Sequence, residues 1–129
     1  MIFIDSNVPM YLVGSSHRGR DRLEAFFRAR VDGTFVTSAE VYQEVIHRYV
    51  AIDRRQAIGD CFALLDTLVQ RVFPITREDT ERAREITTAQ RRLSGRDCLH
   101  LAVMERYGLD QILTLDEGFD YWPGITRLP

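Results

Sequence analysis

Short apolar runs alternate along the chain with longer segments in which apolar residues recur at helical spacing. The apolar runs predict strands over residues 2–4, 34–37, 72–75 and 112–115, and allow a last one over residues 125–128. The helical spacing predicts helices over residues 9–12, 20–31, 54–70, 76–92 and 96–107, and another that starts after residue 38. This alternation predicts an α/β fold, with a mostly parallel sheet of about 4–5 strands flanked by helices.

Several residues with strong turn or capping preferences mark where these elements end. Pro74 cannot donate a backbone hydrogen bond, so it favours an edge or terminal place for the third strand. Thr76 and Asp79 have the spacing of a capping box at the start of the helix that follows. Residues 32–33 are Asp-Gly and predict a turn before the second strand, and Gly108 ends the last helix.

The length and composition are those of an ordinary globular protein. The 129 residues, 45% of them hydrophobic and 28% charged, predict a single domain over residues 1–129. No run approaches about 18 apolar residues, and the N-terminal run lacks the basic segment of a secretory signal, so we expect a cytoplasmic protein without a membrane span. Cys61 and Cys98 lack metal-type spacing and are expected to be reduced thiols in the core.

The basic residues are unusual because all 17 of them are arginine. The absence of lysine excludes mechanisms that need one, such as a Walker-type phosphate loop or Schiff-base chemistry. Arginine suits bidentate contacts with phosphate or carboxylate groups. The base composition of the genome explains the same bias, and we prefer that explanation. The net charge of −2 argues against broad affinity for nucleic acid.

Four acidic residues occupy positions that an α/β fold brings together. Asp5 and Asp116 each end a strand-like run. Asp97 opens a helix, and Glu44 lies inside the helix that starts after residue 38. Because residues just past the C-terminal ends of parallel strands line one shared crevice, we expect these carboxylates to meet there. The histidines have no zinc-type spacing, so we expect surface or core positions for His17, His47 and His100.

A group of carboxylates in one crevice needs a partner of opposite charge. Two carboxylates about 4 Å apart repel by about 4 kcal/mol at an effective dielectric constant of about 20. Several such pairs raise pKa values or disorder the site unless a divalent cation lies among them. Oxygen ligands alone favour Mg²⁺ or Mn²⁺ over zinc, and such a site facing a phosphodiester supports metal-assisted hydrolysis.

Each of these acids also has a purely structural explanation, which the residues alone leave open. Asp5 can cap the helix that follows it, although Ser6 and Asn7 add a hydroxyl and an amide that suit metal contacts. Asp97 can interact with the dipole of its helix. Asp116 can belong to a tight turn with the Glu-Gly that follows it.

Two glutamates in the helix after residue 38 compete for a place in the site. Glu44 precedes Arg48 by four residues, the favourable order for an exposed ion pair. Glu40 has capping-box spacing from Thr37, and either Thr37 or Ser38 can cap the helix. From the residues alone the choice between the two glutamates is nearly even.

Four segments together resemble the sequence motifs of PIN domains. They are Ile-Asp-Ser-Asn at residues 4–7, Ser38 followed by Glu44, Arg-Asp-Cys-Leu-His-Leu-Ala at residues 96–102, and Leu-Thr-Leu-Asp-Glu-Gly-Phe at residues 113–119. Their order and spacing are similar to those of the single-domain VapC toxins of bacterial type II toxin–antitoxin pairs. The resemblance covers essentially the whole chain and implies a PIN-like α/β fold.

The resemblance also implies which acids form the site. It selects Glu44 as the catalytic glutamate and leaves Glu40 as a helix cap. The other implied catalytic acids, which would also be the metal ligands, are Asp5, Asp97 and Asp116. Asp120 lies four residues after Asp116 and could supply the last carboxylate, but Asp116 is nearer the strand end. The implied polar supports around the ligands are Ser6, Asn7 and Asp120.

An activity and partners follow from the same resemblance. VapC toxins are Mg²⁺-dependent endoribonucleases, in which Mn²⁺ can substitute, so we expect hydrolysis of RNA phosphodiesters, in tRNA or rRNA. A metal ion held chiefly by Asp5 and Asp97 would polarise the attacking water and the phosphate oxygens. Asp116 with Glu44, or a second ion, would position the nucleophile or the leaving oxygen. VapC toxins usually pair with a VapB-type antitoxin whose C-terminal segment enters the acidic groove, and they commonly form homodimers.

Two groups of arginines are candidates for contacts with RNA phosphates. One group flanks residues 17–19 and the other precedes Asp97: Arg18, Arg20 and Arg22, and Arg91, Arg92 and Arg96. Such contacts would make binding strongly dependent on salt, and the negative net charge favours a narrow local groove over a broad surface. The alternative for each arginine is solvated helix surface.

Two other functions are weighed against a ribonuclease. A haloacid-dehalogenase-like phosphatase also places its first acid after a strand, but it needs a second Asp two residues later and a lysine. Here that second position is Asn7, and lysine is absent. A catalytically silent interaction module of the same fold is disfavoured by the complete set of acids.

Overall fold

Five parallel strands form the central sheet of the protein. The computed structural model describes residues 1–15, 17–29 and 33–129. Within these residues the strands are β1 Ile2–Ile4, β2 Phe35–Ser38, β3 Arg71–Phe73, β4 Gln111–Leu113 and β5 Thr126–Leu128. They lie in the order β3-β2-β1-β4-β5, and every neighbouring pair is parallel. All carboxyl ends therefore meet at one edge of the sheet, with β1 in its centre.

Pairs of helices form the long crossovers that parallel strands need. Within the described residues the helices are α1 Asn7–Val13, α2 Arg18–Ala29, α3 Ala39–Ala51, α4 Gln56–Leu68, α5 Arg77–Ala89 and α6 Gly95–Arg106. A short 3-10 helix, Glu117–Tyr121, connects β4 to β5. Among the helices described, none combines the length and the apolar character required to cross a membrane.

The α/β fold with a parallel sheet is confirmed, and so are several local predictions. β3, which Pro74 directly follows, is an edge strand. Thr76 and Asp79 form the complete capping box of α5, with Asp79 N–H donating to Thr76 Oγ1 and Thr76 N–H donating to Asp79 Oδ2. The last strand, which the sequence only allowed, is present as β5.

The boundaries of several elements differ from the prediction by a few residues. The first helix begins at residue 7 rather than 9, because the N–H of Val8 already bonds the carbonyl of Asp5. α5 ends at residue 89 rather than 92, because Gln90 takes an extended backbone conformation and its side-chain amide donates to the carbonyl of Tyr121. The end of the second predicted helix and the start of the turn at 32–33 fall on residues 30–32, outside the described residues.

The core lies between the sheet and the helices. β1 is buried along its whole length, as expected for the central strand of a parallel sheet. α6 contributes the largest buried set of any one helix described: Cys98, His100, Leu101, Ala102, Val103 and Met104. Cys61 and Cys98 are both free and buried, as predicted. The buried face of α6 fixes the position of its N-terminal turn, which carries Asp97.

Candidate active site

A cavity of about 480 Å³ lies at the carboxyl edge of the sheet and is called here the acidic cavity. It is lined by all four acids that the sequence singled out, Asp5, Glu44, Asp97 and Asp116. Ser6 and Asn7, the predicted polar supports, also line it. The fold therefore brings together carboxylates from α3, α6 and the segments that directly follow β1 and β4.

Asp5 is held rigidly at the base of the acidic cavity. It is only 4% exposed. Its Oδ1 accepts a hydrogen bond from the N–H of Ser6 at 2.7 Å, and its Oδ2 accepts from Thr114 Oγ1 at 2.7 Å and from Asn7 Nδ2 at 3.3 Å. The carboxylate thus takes up the free N–H at the start of α1 and still faces the cavity, so the structural and functional explanations of Asp5 are compatible.

Thr114 is a site residue that the sequence analysis missed. It is fully buried, and its hydroxyl donates to Asp5 while accepting from Asn7 Nδ2 at 2.9 Å and from the N–H of Asp116 at 3.0 Å. Asn7 Oδ1 in turn accepts from the N–H of Leu115 at 3.2 Å. The hydroxyl in an otherwise apolar run just before Asp116 was the signal that could have identified it.

Replacing Thr114 by Val is expected to lower cleavage activity by roughly 10–100-fold and stability by about 1–2 kcal/mol, because Asp5 loses a hydrogen bond that orients it. Thr37→Val is the matched control: Thr37 is also fully buried, but its hydroxyl donates to the carbonyl of Ile4. Kinetics and urea denaturation of both variants check this. Equal activities in the two variants would contradict an orienting role for Thr114.

Glu44 is buried in the site and is not the partner of Arg48. It is 6% exposed. Its Oε2 accepts from Ser6 Oγ at 2.6 Å, and its Oε1 lies 2.6 Å from Nε2 of His100. The explanation of Glu44 as the partner of Arg48 in an exposed ion pair, which the sequence left open, is therefore wrong.

The capping role expected for Glu40 is also wrong. Ser38 occupies the N-cap position of α3, but no side chain caps this helix. The hydroxyl of Thr37 points to the neighbouring strand, where it donates to the carbonyl of Ile4 at 2.8 Å. The Thr37 hydroxyl that could have capped α3 is therefore bonded to the backbone of β1 instead.

His100 is the second site residue that the sequence analysis missed, since it was assigned only a surface or core position. It is indeed in the core, fully buried, with its ring 5.4 Å from that of Phe3. There its Nε2 contacts Glu44 and lies 3.6 Å from Asp5 Oδ1. A signal existed: His100 follows Asp97 by three residues, and this spacing places both on one face of a helix.

Asp97 and Asp116 form the outer part of the acidic cavity. Asp97 is half-buried, and its N–H donates to Ser94 Oγ, the N-cap of α6. Asp116 is exposed, and its Oδ1 accepts from the N–H of Gly118 at 2.8 Å, which is the tight turn that the sequence allowed. Both acids thus have a local role and also line the cavity.

The electrostatics of the site show how closely the acids approach one another. Burial and then the carboxylates of Asp116 and Asp5 raise the pKa of Asp97 to about 6. Burial also raises the pKa of Asp5, with Glu44 adding to the effect and His100 opposing it. These shifts mean that the folded protein binds protons more readily at these acids than the unfolded chain does.

Glu44 and His100 shift in the directions expected of an ion pair. Burial alone would raise the pKa of Glu44, but the contacts with His100 and Ser6 outweigh it and lower that pKa. Burial alone would lower the pKa of His100, but Glu44 and Asp5 outweigh it and raise that pKa. The imidazole therefore compensates part of the negative charge in the cavity.

The residues of the acidic cavity fit a divalent cation. Asp5, Glu44 and His100 each offer one ligand atom, and these atoms all lie within 4.8 Å of one another. After burial, the carboxylates of Asp116 and Asp5 raise the pKa of Asp97 by more than His100 lowers it, so part of the negative charge in the cavity is left uncompensated. Two buried carboxylates with an imidazole are donors suited to Mn²⁺, and the carboxylates alone suit Mg²⁺.

Asp120 is not among the residues that line the acidic cavity. Its carboxylate accepts two hydrogen bonds from Arg127, at 3.0 and 3.1 Å. This ion pair ties the 3-10 helix to β5. The geometry therefore gives no support to Asp120 as a polar support of the site.

The two groups of arginines predicted to contact RNA are placed differently. Arg92 and Arg96 line the acidic cavity, together with Arg48, for which the sequence had left open an exposed pair with Glu44. The arginines of α2 do not line it, and Arg20 is engaged with Glu24 at 2.9 Å and with the carbonyl of Gly14 at 2.7 Å. Three guanidinium groups therefore stand around an acidic centre.

Comparison with known proteins identifies the class to which this fold and site belong. The PIN domain family model matches residues 2–124. The chain is 45% identical over 130 residues to the VapC ribonuclease Mb1869c of Mycobacterium bovis, with 99% of each protein covered. The chain therefore belongs to the PIN-domain family and, within it, to the VapC ribonucleases.

Two solved structures share the fold. The crystal structure of Mycobacterium tuberculosis VapC20, described as a sarcin-ricin loop cleaving toxin, superposes with a TM-score of 0.79 at 21% identity and covers 93% of each chain. A toxin–antitoxin complex from Klebsiella pneumoniae superposes with a TM-score of 0.69 at 19% identity and covers 98% of this chain and 96% of that one. The five-stranded parallel sheet is thus that of a PIN domain.

Proposed function

We propose that this protein is a Mg²⁺-dependent endoribonuclease that acts as the toxin of a VapBC-type toxin–antitoxin pair. The observation that carries the proposal is the acidic cavity, where carboxylates from four separate parts of the chain surround one space. The membership of the VapC ribonucleases supports the same activity. A single PIN domain over residues 1–129 would carry it.

Residues at the base of the acidic cavity and residues at its mouth would have different roles. A divalent cation bound by Asp5, Asp97 and Asp116 would supply Lewis acidity toward a phosphate oxygen and make a water molecule more acidic. Mg²⁺ is the proposed ion, and Mn²⁺ would substitute. Asp5 is kept oriented by Thr114, and Glu44 adds negative charge beside it. Asp116 is the most exposed of these acids and can orient a water molecule at the cavity mouth.

Arginines at the cavity would bind the substrate backbone. Arg48, Arg92 and Arg96 offer guanidinium groups that suit bidentate contacts with phosphate oxygens. RNA contacts also remain a prediction for three arginines of α2, Arg18, Arg20 and Arg22. They have less support, because these residues do not line the cavity. The proposed substrate is tRNA or rRNA, and the sarcin-ricin loop, which the structurally similar VapC20 is described as cleaving, is one to include in the test.

A VapB-type antitoxin is the proposed partner. The Klebsiella pneumoniae complex, which shares this fold, contains a toxin with its antitoxin. The antitoxin's C-terminal segment would enter the acidic cavity and block it. The same proposal includes a homodimer. It also includes a cytoplasmic location, where the protein would meet both the antitoxin and RNA.

The test is to incubate the purified protein, freed of antitoxin, with total bacterial RNA in Mg²⁺, in Mn²⁺ and in EDTA. Discrete fragments are expected with either metal and none with EDTA. Asp5→Asn should abolish them, whereas Asp120→Asn, a matched change at an acid outside the cavity, should not. Cleavage that persists in EDTA, or in the Asp5→Asn variant, would rule out this site. Intact RNA in every reaction would indicate a catalytically silent PIN domain.

A further inference from the structure

His100 is a fully buried polar residue that lies beside the buried acids but is not among the proposed ligands of the cation, Asp5, Asp97 and Asp116. It lies on α6, one turn after Asp97, with its ring against Phe3. Its Nε2 lies 2.6 Å from Oε1 of Glu44. A histidine that only filled the core would not need a carboxylate at this distance, since an apolar side chain could fill the same space without the cost of burying polar atoms.

Nε2 is the nitrogen of His100 that approaches the buried acids. Within the described residues neither ring nitrogen makes a hydrogen bond of ordinary geometry, but Nε2 lies 2.6 Å from Oε1 of Glu44 and 3.6 Å from Oδ1 of Asp5. A proton on Nε2 is present both in the imidazolium form and in the neutral tautomer that leaves Nδ1 bare. Nε2–H can therefore face Glu44 in either of these forms, and the attraction is stronger in the imidazolium form.

The contact of His100 begins a chain of interactions that reaches the other buried acid. Both oxygens of Glu44 are contacted: Nε2 of His100 lies 2.6 Å from Oε1, and the hydroxyl of Ser6 donates a hydrogen bond to Oε2 at 2.6 Å. The backbone N–H of Ser6 in turn donates to Oδ1 of Asp5 at 2.7 Å. Movement of Glu44 would therefore be transmitted to Ser6, the residue that orients Asp5.

We propose that His100 is a positioning residue: the close contact of its Nε2 with Oε1 of Glu44 holds this acid, and through Ser6 also Asp5, in the arrangement that receives the divalent cation. This inference rests on the proposed function for the identity of the site. Residues that orient metal ligands without touching the substrate typically change metal affinity or activity by about 10–100-fold when they are lost.

Three variants separate positioning from core packing. His100→Gln keeps an N–H donor at a similar reach, and His100→Leu fills the space without a donor. Met104→Ala is the control, because Met104 is fully buried one turn further along α6 and its loss disturbs packing alone. The measurements on the full chain are thermal stability, Mn²⁺ binding by electron paramagnetic resonance, and kcat and KM for RNA cleavage.

His100→Leu is expected to weaken Mn²⁺ binding by about 10–100-fold and to lower kcat, with KM for RNA nearly unchanged. His100→Gln should recover most of both losses, and Met104→Ala should keep the Mn²⁺ affinity of the wild-type protein. Wild-type Mn²⁺ affinity in His100→Leu would overturn the proposal, and so would equal losses in His100→Gln and His100→Leu. Weak binding in Met104→Ala equal to that in His100→Leu would reduce His100 to a packing residue.

The Mn²⁺ measurement keeps this inference separate from the proposed function. If the wild-type protein binds Mn²⁺ but cleaves no RNA, the ribonuclease proposal fails, while the Mn²⁺ affinities of the variants still decide the role of His100. If the wild-type protein binds no Mn²⁺, both proposals fail.

Discussion

The Asp97→Asn variant is expected to lose RNA cleavage by roughly 10²–10³-fold or more and, in the absence of metal, to be more stable than the wild-type protein. Cleavage falls because the cavity loses a charged oxygen ligand, which a neutral amide replaces poorly. The gain in stability arises because the ionised carboxylate of Asp97 is partly buried and lies close to Asp116 and Asp5 when no cation compensates it.

The sign of the stability change follows from the pKa of Asp97, which rises from its usual 3.8 to about 6 on folding. Between these pH values the folded protein holds this proton and the unfolded chain does not, so the free energy of unfolding falls as the pH rises. Above about pH 6 Asp97 is ionised in the folded protein as well, and the full cost of holding that charge in the cavity lowers the free energy of unfolding. Asn carries no charge and removes this cost. One unit of pKa corresponds to about 1.4 kcal/mol, so Asp97→Asn should gain about 1–3 kcal/mol near neutral pH.

Urea denaturation in EDTA at about pH 4 and about pH 7.5, together with cleavage assays in Mg²⁺, measures both effects. The higher free energy of unfolding of Asp97→Asn, relative to the wild-type protein, should be present at the higher pH and nearly absent at the lower one. Asp120→Asn is the control, because its carboxylate pairs with Arg127 outside the cavity. It should keep its activity and gain no stability. An Asp97→Asn variant that is less stable and still active would contradict the assignment of Asp97.

Adding Mn²⁺ or Mg²⁺ to the metal-free protein should stabilise it strongly at neutral pH and much less in acid. A ligand at about a hundred times its dissociation constant adds about 2.7 kcal/mol, which raises the melting temperature of a domain of this size by roughly 8–12 °C. Carboxylates bind a cation only when they are deprotonated. Burial raises the pKa of both Asp97 and Asp5, so protons compete with the metal as the pH falls through about 6.

Thermal melts at about pH 5 and about pH 7.5, each with metal and with an equal ionic strength of NaCl, check this expectation. The metal-dependent rise should be large at the higher pH and should shrink in Asp97→Asn. A similar rise with NaCl alone would show that general screening of the acids causes the stabilisation. An equal rise at both pH values would show that the metal binds elsewhere.

Local physics determined most of the fold from the sequence. The continuous apolar run of residues 2–4 has no polar face, so it had to be a buried strand, and it is the central one. The capping box of Thr76 and Asp79 and the edge position of β3 follow from hydrogen-bonding groups within a few residues of one another. The observed ends of helices differed from the predicted ones where a distant group competed with the local helical pattern. At the end of α5, for example, the side chain of Gln90 bonds the carbonyl of Tyr121, 31 residues away in the chain.

The sequence by itself also determined where the acids stand, because strand ends and helix starts are local features and the carboxyl ends of parallel strands share one edge. Only the tertiary structure decided which neighbours each acid has. Thr114 bonds Asp5 across 109 residues, and Ser6 bonds Glu44 across 38. Such contacts leave no local periodicity. For that reason Glu44 could not be separated from Glu40 by spacing, and His100 read as an ordinary core residue although its imidazole lies against the buried acids.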